Sequence, residues 1–132
     1  MTVIIGEVVH GAGRGRPMGF PTANLDVTDP GSLPPDGVYF GRFTVDGRTD
    51  AALVSIGTNP TFGSGARSAE AYVLDRDEDM YAKTARVEIV TLIRGQTRFR
   101  DAAALVDAMR TDERYARRLA GGETVEELPW SP

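Results

Sequence analysis

The chain contains no cysteine and only one histidine among its 132 residues. Because the chain has no thiol groups, disulfides, sulfur-rich zinc sites and cysteine nucleophiles are all excluded. His10 alone supplies no pair of imidazole ligands, and no Gly-x-Ser-x-Gly segment presents a serine for triad chemistry. Covalent hydrolase chemistry therefore has little support from the residues present.

Long apolar runs and an excess of positive charge are also missing. No stretch approaches the ~20 apolar residues that span a bilayer, and residues 1–6 lack the pattern of a secretory signal. The 15 Lys and Arg against 19 Asp and Glu give a formal net charge of −4, which repels nucleic acids and anionic membranes at long range. We expect a cytoplasmic monomer with no nucleic-acid or membrane partner, in which any anion is bound locally.

A loop rich in glycine and arginine follows the first apolar segment. Gly11, Gly13 and Gly15 let backbone N–H groups approach a phosphate, and Arg14 and Arg16 add charge that does not depend on pH. The Gly-Lys-Ser/Thr ending of a Walker A motif is absent, and no helix of a dinucleotide fold follows. The loop therefore predicts an anion site of another kind, suited to a nucleotide.

Neutral oxygen donors come directly after this loop, in the Pro-Thr-Ala-Asn segment of residues 21–24. Thr22 carries a hydroxyl and Asn24 an amide carbonyl. Oxygen ligands of this kind complete a magnesium shell that is shared with phosphates and waters. The segment predicts a metal site beside the anion site.

Most of the chain has the residue pattern of β-strands. Asp46-Gly47 separates two apolar segments and predicts a type I′ hairpin, because both residues tolerate positive φ. Residues 84–94 carry apolar side chains on both faces, which indicates a strand buried on both sides. The predicted strands cover residues 3–10, 37–45, 49–56, 69–74 and 84–94.

The apolar period becomes helical after Asp101, but Asp112 falls on the apolar stripe. Because Thr111 can cap a new helix, we predict two short helices, the second ending at residues 121–122. The arginines within residues 94–100 and 114–118 are interpreted as solvated surface.

These elements predict one domain over residues 1–122, followed by a C-terminal tail at residues 123–132. Its fold class is mainly β, a small antiparallel barrel of about five or six strands with C-terminal helices. An open α+β sandwich is the alternative.

Glu70 is a candidate proton acceptor. On a strand over residues 69–74 it shares a face with Tyr72 and Leu74, where apolar and aromatic neighbours would raise its basicity. The alternative is a glutamate that merely faces solvent on a half-exposed strand.

Several segments follow one another in an order that matches a known family. They are GEVVHG running into RGR, then GFPTANL, IGTNPTF, AEAYVLD and LIR, with Phe99 and Asp112 beyond them. Over nearly the whole chain, to about residue 119, this series resembles the riboflavin kinase (flavokinase) family.

The resemblance implies transfer of the ATP γ-phosphoryl group to the ribityl 5′-hydroxyl of riboflavin, giving FMN and ADP, on a six-stranded antiparallel Greek-key β-barrel. It implies that Thr22 and Asn24 hold Mg²⁺ and that Glu70 is the catalytic base. The nucleotide-binding residues that it implies are Gly11, Gly13, Arg14, Gly15, Arg16, Gly19, Thr22 and Asn24.

The chain departs from the family pattern in three places, at Tyr72, Arg76 and Ala82. These departures affect the expected shape of a turn and of the flavin pocket, but not the metal or base groups. Bacterial relatives often join the kinase to a module that adenylylates FMN, and without that module FAD synthesis is not expected. The alternative function is a non-catalytic flavin- or nucleotide-binding module, and a purely structural barrel is a more distant one.

Overall fold

The structure is a computed structural model that describes residues 2–9, 22–58, 67–76, 78–96 and 99–124. Six antiparallel strands close into a barrel in the order β1-β2-β5-β4-β3-β6. The strands are β1 Thr2–Val9, β2 Ala23–Val27, β3 Gly37–Val45, β4 Arg48–Thr58, β5 Arg67–Val73 and β6 Thr84–Arg94. A 3₁₀ turn, Pro30–Ser32, precedes β3, and the helix α1 spans Ala102–Ala120.

The strand order contains a Greek key, because β6 returns to lie beside β3 in the meander β3-β4-β5. The predicted antiparallel barrel is therefore confirmed, and the open sandwich is wrong. The sequence pattern does not predict β2, since its five residues, ANLDV, include an asparagine and an aspartate that are uncommon in strands.

Side chains alternate between the inside and the outside of the barrel wall. The inward residues form one apolar core, in which Ile4, Phe43, Val54 and Val87 are fully buried. On the outside, α1 packs its Tyr115 and neighbouring apolar residues against a second apolar cluster on the wall. The barrel thus has a filled interior and one outer face that the helix covers.

The β3–β4 hairpin forms as the sequence predicts. Val45 pairs with Arg48, leaving Asp46 and Gly47 as a two-residue turn. Their φ angles are 54° and 77°, the positive values that a type I′ turn requires. Gly47 reaches this conformation at little cost because it has no Cβ.

β6 differs from its prediction in burial. Two irregularities in its register with β3 occur near Val90 and Ile93. Val90 and Leu92 are 42% and 49% exposed. The expectation of a strand buried on both faces is therefore wrong for these two residues, and Val90 lies at one of the two irregularities.

The C-terminal helical segment is one continuous helix, so the predicted break at Thr111–Asp112 is wrong. Thr111 lies inside α1 and donates its hydroxyl to Asp107 O at 3.0 Å. Asp112 is buried and accepts three hydrogen bonds from Arg94, which explains a carboxylate on the apolar stripe. No helix in the described part of the chain is long and apolar enough to cross a membrane.

Candidate functional site

Two of the candidate residues face each other directly across neighbouring strands. Glu70 on β5 is the register partner of Asn24 on β2. On its other side, Glu70 is the register partner of Ser55 on β4. Directly opposed residues in antiparallel strands have Cβ atoms about 4.5–5.5 Å apart, so these side chains are immediate neighbours.

These neighbours belong to one line of side chains on the outside of the barrel, which we call the outer row. Their chain neighbours, such as Leu25, Ala69 and Ala71, point into the core. Because successive residues of a strand alternate in direction, the residues between them point outward. The outer row runs across five strands and consists of Asn24, Glu70, Ser55, Val38 and Arg94.

Asn24 is buried although it lies on the outside of the wall, with only 4% of its surface exposed. Its Oδ1 atom has no hydrogen-bond partner among the described residues. A buried amide oxygen without a partner is costly, and it is a suitable ligand for a hard cation such as Mg²⁺. The residue therefore fits the predicted metal.

Thr22 lies one residue before β2 and two before Asn24, and it is half-buried. Glu70 is also half-buried. The other nucleotide-binding candidates, Gly11, Gly13, Arg14, Gly15, Arg16 and Gly19, fall outside the described residues, and their predicted contacts stay predictions. His10 falls outside them as well.

Ser55 is held from the opposite side by a residue that follows β6. Gln96 Nε2 donates to Ser55 Oγ at 2.9 Å and to Ile56 O at 3.0 Å. The Gln96 side chain lies over Gly57, where an added Cβ would meet Nε2 at 3.3 Å. Sequence reasoning missed Ser55 and Gln96, because neither belongs to a motif with an evident chemical role.

Arg94 ends the outer row and connects it to the helix. Arg94 Nε and Nη2 donate to the Asp112 carboxylate at 2.8–3.2 Å, with side chains only 13% and 3% exposed. The guanidinium also lies 5.4 Å from the centroid of Phe99. The interpretation of Arg94 as solvated surface is therefore wrong, whereas Arg117 and Arg118 are exposed as expected.

Tyr72 lies two residues from Glu70 on the same face of β5 and packs against the apolar cluster under α1. Burial raises the pKa of Tyr72 above its ordinary value, and the Glu113 carboxylate raises it further. Arg117 acts in the opposite direction. The phenol next to Glu70 therefore stays neutral around pH 7.

The sequence of this chain matches a known protein family and its members. The family model described as Flavokinase: Riboflavin kinase matches residues 1–120. The bifunctional riboflavin kinase/FMN adenylyltransferase of Listeria monocytogenes serovar 1/2a is 37% identical over 113 residues. That match covers 85% of this chain and 36% of the relative, so the chain spans little more than a third of the relative's length.

Two solved structures have the same architecture. One is a Streptococcus pneumoniae protein described as a macrolide-efflux protein, with a TM-score of 0.79 and 36% identity over 87% of this chain and 38% of that one. The other is riboflavin kinase from Trypanosoma brucei, with a TM-score of 0.67 and 24% identity over 98% and 91% of the two chains, a likeness of fold. Since the family model covers nearly the whole sequence, the chain belongs to the riboflavin kinase (flavokinase) family.

Proposed function

We propose that this chain transfers the γ-phosphoryl group of ATP to the ribityl 5′-hydroxyl of riboflavin, giving FMN and ADP. In this proposal Thr22 and Asn24 hold Mg²⁺, and Glu70 is the general base. Family membership supports the reaction. The observation that carries the residue assignment is the direct pairing of Asn24 with Glu70 across β2 and β5.

Phosphoryl transfer requires alignment of the reacting groups and stabilisation of charge more than covalent participation by the protein. Mg²⁺, when bound, would neutralise charge on the phosphates of ATP. The partnerless Oδ1 atom of Asn24 and the hydroxyl of the nearby Thr22 are the neutral oxygens that would hold it. Asn24 lies on β2, and Thr22 immediately precedes this strand of the barrel wall.

Glu70 would take the proton of the attacking hydroxyl. As the ribityl oxygen forms its bond to the γ-phosphorus, the bond from that phosphorus to the β–γ bridging oxygen breaks, and ADP leaves with the electron pair. The proton moves to the Glu70 carboxylate, which is half-buried beside Tyr72 and Asn24. The glycine and arginine loop of residues 11–16, with Gly19, would cover the phosphates.

A direct assay tests the proposed reaction. Purified chain incubated with riboflavin, ATP and Mg²⁺ should form FMN and ADP in equal amounts, measured by chromatography with fluorescence detection. Retention of flavin or nucleotide without turnover would contradict the proposal and favour a binding module.

Glu70→Gln tests the assignment of the base. The amide keeps the size of the side chain but accepts no proton, so kcat should fall by roughly 10²–10⁴-fold while ATP binding is retained. Glu88→Gln is a matched control, because Glu88 lies on β6 and faces Arg42 at 3.8 Å, away from Asn24. Normal turnover by Glu70→Gln would show that Glu70 is not the base.

A further inference from the structure

A β-bulge lies opposite the end of β1, just before β6 begins. Val8 N donates to Lys83 O at 2.9 Å, and Ala82 N donates to Val8 O at 2.8 Å. Two consecutive residues therefore oppose the single residue Val8, which is the arrangement of a bulge. The regular register of β1 with β6 runs up to Glu7 and Thr84, so the ladder ends at this bulge.

The bulge depends on the left-handed conformation of Ala82. Lys83 N donates to Met80 O at 3.0 Å and closes a four-residue turn in which Ala82 is the third residue. The φ angle of Ala82 is 67°, the positive value required at that position of a type II turn and at the first residue of a G1 bulge. Glycine adopts this conformation at little cost, whereas the Cβ of alanine opposes it. Contacts around Ala82 must therefore hold the turn in shape.

The structure shows such contacts on several sides of the turn. Met80 is buried in the barrel core with 7% of its surface exposed. Lys83 Nζ pairs with the carboxylate of Asp46 in the β3–β4 turn. Tyr81 N donates to Asp79 Oδ1 at 2.9 Å. The turn is thus joined to the core and to the neighbouring hairpin, and it is a firm support for β1.

The end of β1 that the bulge holds lies beside the proposed magnesium ligand. Val9 is the register partner of Asn24 on β2. Gly11, the first residue of the proposed phosphate-binding loop, comes two residues after Val9 in the sequence. The chain therefore enters that loop from a segment held on one edge by β2 and on the other by the bulge. Bulges are over-represented next to active sites, where they end strand pairing or redirect the chain.

We propose that the bulge at Ala82 and Lys83 is a positioning element for the nucleotide site. By fixing the backbone of Val8 and Val9, it sets the point beside Asn24 from which the phosphate-binding loop starts. This inference rests on the proposed function, and Ala82 acts through β1 without touching the nucleotide. Displacements of about 1 Å in such supports can be costly to binding and rate.

Amide hydrogen exchange measured by NMR tests the bulge without any activity assay. In the wild type the amides of Val8 and Ala82 should be protected, because each donates to a backbone carbonyl. Ala82→Val should reduce the protection of both, because a β-branched residue strongly disfavours positive φ. The amides of Phe43 and Val54 in the core should keep theirs. Unprotected amides at Val8 and Ala82 in the wild type, or full protection in the variant, would overturn the proposal.

Calorimetric titration with MgATP tests the consequence for the nucleotide site. Ala82→Val should raise the Kd by about 10-fold, because the start of the loop is displaced. Ala82→Gly keeps the N–H and accepts positive φ, so it should bind like the wild type. Ala82→Leu is unbranched at Cβ and serves as a milder variant if Ala82→Val does not fold. A wild-type Kd in the variant with the larger side chain, or weakened binding by Ala82→Gly, would contradict the inference.

Asp75→Val is the matched control for backbone strain. Asp75 also has a positive φ, 58°, and lies in the same connection between β5 and β6. Its contacts go to Arg48 and Arg117 and not to β1. The control variant should lose stability yet keep the wild-type Kd for MgATP. An equal rise in Kd for Asp75→Val and Ala82→Val would show that general destabilisation, not the bulge, weakens binding.

Steady-state kinetics separate this inference from the proposed function. In Ala82→Val the KM for ATP should rise, while the KM for riboflavin stays as in the wild type. If the wild type binds MgATP but forms no FMN, the proposed function fails, and the Kd values still decide whether the bulge positions the site. If the wild type is active and Ala82→Val has an unchanged KM for ATP, the positioning role fails and the proposed function stands.

Discussion

Asn24 carries an amide oxygen that is buried in the barrel wall without a hydrogen-bond partner among the described residues. Leaving a buried acceptor unsatisfied costs about 1–3 kcal/mol of folding free energy. Residues that weaken a fold in this way are most often found at functional sites. If Asn24 has a structural role, removing the amide should lower the stability of the fold, whereas if it is a metal ligand the removal should not.

Asn24→Ala should raise the Mg²⁺ concentration that gives half-maximal activity, with little loss in the free energy of unfolding. The reason is that the variant loses the proposed metal ligand, whereas Oδ1 makes no hydrogen bond among the described residues that could be lost. Thr22→Ala should also raise the Mg²⁺ requirement. Magnesium titrations of the initial rate, together with urea unfolding in the absence of magnesium, measure both effects.

Asp26→Ala is a matched control for Asn24→Ala, because Asp26 lies on the same outer face of β2, is exposed and belongs to no proposed site. Its magnesium titration should match that of the wild type. Unchanged titrations for both Asn24→Ala and Thr22→Ala would count against the metal assignment.

At the level of elements, local signals predict every strand except β2, and a long-range contact decides the helix. β3 and β6 have the bounds that the sequence predicted, since glycine, the Asp46-Gly47 turn and β-branched runs delimit them. The continuity of α1 depends on Asp112 pairing with Arg94, 18 residues away in sequence. Helical periodicity reports only on residues that are close in sequence and cannot indicate such a partner. An aspartate on the apolar stripe therefore indicates a break.

The sequence predicts the candidate site only where its residues lie close together along the chain or on one predicted strand. Thr22 and Asn24 lie within three residues of each other, and a strand over residues 69–74 gave the face of Glu70. Ser55 and Gln96 enter only through the strand order, because β4 lies beside β5 and Gln96 follows a strand on the other side of β3. Serine and glutamine at these positions carry no sequence signal of their own.

Asp112→Ala should be strongly destabilising, because it removes one partner of a buried ion pair, the carboxylate that accepts three hydrogen bonds from Arg94. We expect a loss of about 3–5 kcal/mol in the free energy of unfolding, measured by urea titration. Replacing both partners by apolar residues, as in Arg94→Met with Asp112→Leu, should recover much of this loss.

Glu113→Ala is the control on the same helix. Glu113 forms an i,i+4 pair with Arg117, whose side chain is 43% exposed. Such pairs contribute about 0.3–0.5 kcal/mol, so this variant should unfold close to the wild type. Equal losses for Asp112→Ala and Glu113→Ala would show that the Arg94–Asp112 pair is not what holds α1 on the barrel.

At the level of the whole molecule, closure of the barrel makes every strand junction part of one cooperative unit. β3 and β6 meet at Gly41, which pairs with Ile89 and faces the core. A Cβ at Gly41 would lie 2.7 Å from the Glu88 carbonyl oxygen and 3.3 Å from a Val54 methyl group. Since the first of these atoms belongs to the backbone of β6, it cannot move without displacing the strand.

Gly41→Ala should therefore destabilise the whole barrel by about 1–3 kcal/mol, the typical cost of overpacking a well-packed interior. Far-UV circular dichroism for the strands and helix, and Tyr fluorescence for the core, should report one coincident transition shifted to lower urea concentration. Gly95→Ala is the control, because its added Cβ would meet nothing within 4 Å among the described residues. A Gly41→Ala chain as stable as the wild type would mean that β3 and β6 can separate there without opening the barrel.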